Sequence, residues 1–143
     1  MGGVFNFEGR SSRRQFWRVF LPALSWLLTF PLMRWLQGEG AKLGVIDLLG
    51  AIAWAICGYL ILAGLARRLH DIGRSARPLW IILVVVSVSD AAGQSLDLTI
   101  KNGIFFASVF LVTVIAAVVG LIPGQTGDNA YGVDPISRPP VNA

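Results

Sequence analysis

The chain has 143 residues and a mass of 15.4 kDa, enough for one domain. Hydrophobic residues make up 55% of it and charged residues only 14%, with a mean hydropathy of +0.66, where a soluble domain averages roughly 25% charged. So little polar material cannot cover a soluble fold of this size, and disorder is excluded by the same figures, so a membrane protein is implied. The single cysteine, Cys57, has no internal disulfide partner, and one histidine with one cysteine does not make a structural zinc site. No metal and no cofactor is expected.

In chain order, the first feature is a polar segment from Phe5 to Trp17. Ser12 and Gln15 have capping-box spacing, which predicts a helix start. Phe5, Phe7, Phe16 and Trp17 read as aromatic residues of a membrane interface, with the neighbouring arginines against lipid phosphates. The uncharged run from Val19 to Met33 has 15 residues. It reaches crossing length once Phe16, Trp17, Trp35 and Leu36 are added and Arg18 and Arg34 snorkel toward head groups. A preceding stretch of 18 residues, Pro22 and Pro31 inside the run, and the lack of a small-x-small site argue against a cleaved signal peptide.

The second uncharged run, Leu48 to Ala66, has 19 residues and predicts a crossing directly. It carries Gly50, Ala51, Ala55, Gly58, Ala63 and Gly64, and the last run carries Gly103, Ala107, Ala116 and Gly120. Small residues four apart allow helix backbones to approach closely in lipid. Cys57 reads as a small buried apolar residue. The second polar segment, Ala66 to Pro78, follows; Gly73 offers a permissive turn and Pro78 suits a first helical turn. Arg67 and Asp71, four apart, would form an ion pair on one helix face.

The third uncharged run, Pro78 to Ser89, has only 12 residues, and Ser87, Asp90, Gln94 and Asp97 follow at spacings of 3, 4 and 3 along one helix face. A carboxylate inside a membrane is a functional candidate, so Asp90 supports an alternative reading as the transport carboxylate of a small transporter or channel component. The plainer account is a short crossing whose outer end emerges into water. Asn102 to Gly127 then provides 26 uncharged residues, closing on the turn-rich segment Gly124 to Pro135.

The resulting expectation is an all-α polytopic membrane protein, a single domain 1–143 built as a four-transmembrane-helix bundle. Its helices lie at about 16–36, 46–66, 78–97 and 102–122, and a cytoplasmic tail covers 123–143. Four crossings place nine arginines and lysines on the side of the termini and three (Arg34, Lys42 and Lys101) on the other, which predicts both termini inside. Anionic lipid at that face accounts for a pI near 10.0, so no nucleic-acid partner is expected.

Three motifs carry a resemblance. Phe7, Gly9, Arg10, Arg13, Phe16 and Trp17 form the first; Arg67, Arg68, Leu69, His70, Asp71, Arg74 and Ser75 the second; Gly124, Gly127, Asn129, Tyr131, Gly132, Asp134 and Pro135 the third. In this order they resemble the YhaH-like family of small bacterial inner-membrane proteins, a domain of unknown function. The resemblance implies a multi-pass location in the bacterial inner (plasma) membrane and brings no biochemical activity. Arg77 and Pro78 stand where family members commonly have an aromatic pair, which implies the loss of a local interface anchor.

Four crossings return the three motifs to one side, and helices about 8–10 Å apart bring their ends within side-chain reach. The candidate site then unites Arg10, Arg13, Arg67, Arg68 and Arg74 as guanidinium forks for a phosphate or carboxylate. Asp71, Asp128 and Asn129 would orient them, with His70 and Tyr131 alongside. Such a site either binds an anionic lipid, ligand or partner, or clamps the tail to the middle loop. Catalysis is not expected: His70 and Asp71 are adjacent and point different ways on a helix, and no nucleophile elbow, P-loop or H-E-x-x-H is present. Expected partners are the lipid bilayer, anionic phospholipid head groups, and a second copy or another membrane protein.

Overall fold

A backbone in hydrocarbon must satisfy its polar groups within its own segment, and each long apolar run does so as an α-helix. In the computed structural model, which describes residues 7–37, 44–93 and 97–136, these are α1 (Arg13–Gln37), α2 (Val45–Asp71), α3 (Arg77–Gly93) and α4 (Leu98–Leu121). The capping box starts α1: the Ser12 amide donates to Gln15 Oε1 (3.1 Å) and the Gln15 amide to Ser12 Oγ (3.3 Å). At α2 the Gly44 amide donates to Asp47 Oδ2 at 2.8 Å. α2 continues past Ala66 to Asp71, so most of the second motif is helical.

Among the described residues three segments are long and apolar enough to cross a membrane: Arg13–Met33, Val45–Asp71 and Ile100–Leu121. The apolar part of α3, Arg77–Val88, is shorter. The 17 residues of α3 rise about 25 Å, against a hydrocarbon core of roughly 30 Å. Outward faces are strongly apolar, with Leu48, Leu49 and Ile52 of α2, Ile81, Val84 and Val88 of α3, and Phe110, Val114 and Val118 of α4 exposed. Such faces suit lipid and not water.

α1 packs most extensively on α2, and α3 packs chiefly on α4. The buried core sits at the end where α1 begins, α2 ends, α3 begins and α4 ends: Phe16 and Phe20, then Ile61, Leu65 and Ala66, then Leu79, then Ala116 and Val119. Phe16, expected at the membrane interface, is 1% exposed and stacks on Phe20 with centroids 5.2 Å apart. The small residues explain the correction. Gly64 and Gly120 leave the space that the Phe16 ring fills, and a Cβ at Gly120 would stand 2.8 Å from that ring. Gly50 accommodates the ring of Phe30 in the same way, so these glycines admit aromatic rings of α1 more than they bring backbones together. Cys57 is half-buried against this core.

Pro31 interrupts α1 without ending it. Proline has no N–H to offer the carbonyl four residues earlier, here that of Leu27. Trp54 of α2 supplies the substitute, its indole N–H donating to Leu27 O at 3.2 Å. The freed carbonyl thereby becomes a tie between α1 and α2.

Candidate functional site

The three motifs meet at the buried end of the bundle. Asp71, in the last turn of α2, is the centre. Its Oδ1 accepts from Arg10 Nε at 3.0 Å and lies 3.0 Å from Arg10 Nη2, and its Oδ2 accepts from Arg68 Nη1. The side chains of Arg10, Arg68 and Asp71 are 1%, 0% and 3% exposed. The pairing expected for Asp71 was with Arg67; the ion pair within α2 is with Arg68, three residues away, because both spacings share a helix face and the packing of α2 is what buries Arg68. Arg67 instead donates from Nε to its own helix at Ala63 O, 3.3 Å.

Two arginines and one carboxylate leave a surplus positive charge, and backbone carbonyls absorb it. Arg68 donates to Ile122 O and to Ser11 O (3.3 Å), while Arg10 donates to Gln125 O and Gly127 O. Ile122 follows the last residue of α4, where carbonyls lack partners within the helix and the helix dipole favours a cation. Arg13 reaches the same end, with Nη1 3.5 Å from Leu121 O. One donor is left over: Arg68 Nε, buried, has no hydrogen-bond partner among the described residues.

The tail is held separately by backbone and ring contacts. The Gln125 amide donates to Asp71 O at 2.8 Å, and the Ser11 amide to Arg67 O at 3.3 Å. Asn129 Nδ2 donates to His70 O (3.0 Å) and to Gln125 Oε1 (3.2 Å). The His70 ring stacks flat on Tyr131, centroids 4.2 Å apart and 2° from parallel, with Nδ1 3.2 Å from Gly9 O. Gly73 adopts φ +75°, and any Cβ there would run into the Gln125 amide, so the turn after α2 needs glycine on both counts. A Cβ on Gly124 would occupy the position of the Asp71 carboxylate.

Ten residues were expected in this site, and the structure sorts them. Arg10, Arg68 and Asp71 form the ion cluster; His70, Asn129 and Tyr131 hold the tail. Asp128 and Asn129, expected to orient arginines, bond elsewhere. Asp128 is exposed and its Oδ1 accepts the Asp134 amide at 3.0 Å, as acidic residues do in turns, and Asn129 serves His70 and Gln125. Arg13 and Arg74 are exposed, as are Arg14, Arg18 and Arg77. Asp90 falls within α3, and its side chain lies outside the described residues. Ser11, Gln125 and Gly124 were not among the expected residues; Ser11 and Gln125 contact the buried arginines and Asp71 through backbone atoms, which no side-chain pattern signals, and only the glycine of the third motif hinted at a close approach. Among the described residues no group of three or more His, Cys, Asp or Glu could hold a metal ion.

The described architecture is that of an all-α protein with three membrane-capable helices, tied at one end by a buried arginine–aspartate cluster that draws on all three motifs. The chain belongs to the family described as Protein of unknown function (DUF805), which matches residues 4–133. No curated protein and no solved structure matches it.

Proposed function

We propose that this protein is a multi-pass protein of the bacterial inner membrane, of the YhaH-like kind, that binds anionic head groups at the end bearing its three motifs. Its role is accessory or binding rather than catalytic. The observation that carries this reading is a division of labour among arginines. Arg10 and Arg68 spend their donors on Asp71 and backbone carbonyls, whereas Arg14, Arg18, Arg74 and Arg77 are exposed around the same end. The buried pair locks the tail in place, and the outer arginines offer the charge that meets phosphate.

Four crossings with both termini inside suit this reading, supported by the nine-to-three distribution of arginine and lysine. α3 completes the count where the bilayer thins to match a helix of 17 residues. A second copy or another membrane protein would cover part of the apolar outer face.

Two experiments test the reading. Reporter fusions at Gly40, Arg74, Gln94 and Ala143 should alternate outside, inside, outside, inside; an outside signal at Ala143 would remove one crossing. Native mass spectrometry of the protein from mixed bilayers should show phosphatidylglycerol retained over phosphatidylcholine, with retention declining as salt rises. Equal retention of the two lipids would end the proposal.

A further inference from the structure

Between the α2–α3 turn, the start of α3 and α4 lies an open groove of about 510 Å³, within the roughly 300–1,000 Å³ common for ligand sites. Its two halves differ in chemistry. Arg74, Ser75 and Arg77 stand at one end, and Leu79, Ile82 and Ile115 line the other. Both guanidinium groups are exposed and make no side-chain hydrogen bond or ion pair among the described residues.

We propose that this groove seats one anionic glycerophospholipid, with its phosphate between Arg74 and Arg77 and an acyl chain along Leu79, Ile82 and Ile115. The order of groups along the groove carries the assignment. The cations lie at the beginning of α3, and successive turns of α3 and the facing side of α4 are apolar, the order in which an anionic lipid presents head and tail. A free phosphate would use the mouth and leave the apolar length empty, while a zwitterionic lipid would bring its own ammonium group to a head-group site already holding two cations and leave their net charge uncompensated. Three other cavities among the described residues lack this combination: one of about 480 Å³ between α1 and α2 has Asp47 as the charged residue of its lining. The one among Trp54, Tyr59, Leu83 and Phe105 measures 430 Å³ and has no charged residue in its lining, and the space behind Phe7 and Trp80 is only about 20 Å³.

This inference rests on the reading that the motif-bearing end binds anionic groups, and its test separates the two. Native mass spectrometry of the full chain from bilayers of equal phosphatidylglycerol and phosphatidylcholine is run on four proteins: the parent, Arg74→Gln/Arg77→Gln, Arg14→Gln/Arg18→Gln, and Ile82→Trp. Melting is followed on each sample. The parent should hold one phosphatidylglycerol per chain. The first double variant should hold it at least tenfold less; the second, which removes outer charge outside the groove lining, should lose clearly less of it than the first, and an equal or larger loss there overturns the groove; Ile82→Trp, which fills the groove with both arginines intact, should also lose it. Millimolar glycerol phosphate should leave the bound lipid in place. A parent without lipid preference overturns both the general reading and the groove. Preference that vanishes in Arg14→Gln/Arg18→Gln and survives in Arg74→Gln/Arg77→Gln overturns the groove alone. Preference that survives Ile82→Trp, or displacement by glycerol phosphate, overturns the lipid as occupant.

Discussion

At the motif-bearing end, α1, α2, α4 and the tail are joined by a buried carboxylate, two buried guanidinium groups and a set of backbone carbonyls. Midway along the bundle the same helices surround an apolar cavity of 430 Å³, and a Cβ at Gly58 or Gly103 would meet nothing within 4 Å. The contrast is the one that a lipid solvent would produce. Lipid chains are as apolar as leucine, so helix middles gain little from burying one another, whereas polar ties in a dry setting are strong and directional. The polar end therefore sets which helices meet and in what register, and the middle tolerates loose packing.

The comparison is broken most directly at Asp71. Asp71→Ala leaves Arg10 and Arg68 buried without a counter-charge and should cost about 3–5 kcal/mol, read as a lower unfolding midpoint in micelles and as faster proteolysis of the tail. Gly124→Ala tests the same end by shape: its new methyl group needs the space of the Asp71 carboxylate, and the variant should lose about 1–3 kcal/mol. Unchanged melting in either variant would mean that the cluster does not hold the tail.

Smaller effects sharpen the picture. Asn129→Ala removes bonds to His70 O and Gln125 Oε1 and the acceptor of the Tyr131 amide; a loss of about 1 kcal/mol should come with weakened His70–Tyr131 stacking, visible in tyrosine fluorescence. Gly58→Ala, in the open middle, should do the reverse and raise stability by up to about 1 kcal/mol, because alanine favours the helix and nothing crowds it. A loss at Gly58 as large as that at Gly124 would erase the distinction between the two regions.

Reading along the chain revealed much of the local structure. The Ser12–Gln15 capping box, the apolar runs and the gathering of polar residues into three segments were all visible, because each depends on neighbours within a few positions. The choice of partner was less legible. Arg67 and Arg68 are adjacent and identical in chemistry, and only the rotation of α2 against α1 turns Arg68 to Asp71 and Ser11.

Composition and periodicity by themselves determined that this is a helical protein with membrane-capable segments and that its polar residues lie in three places, since hydrocarbon leaves a charge-poor chain few alternatives. Tertiary structure decided what those places do. It buried Arg10 and Arg68 and left Arg74 and Arg77 exposed; it drew Phe16 from the interface into the core; and it gave the carbonyl freed by Pro31 to Trp54. Each outcome depends on contacts between segments far apart in the chain, where burial and hydrogen-bond satisfaction are decided by packing and not by residue type.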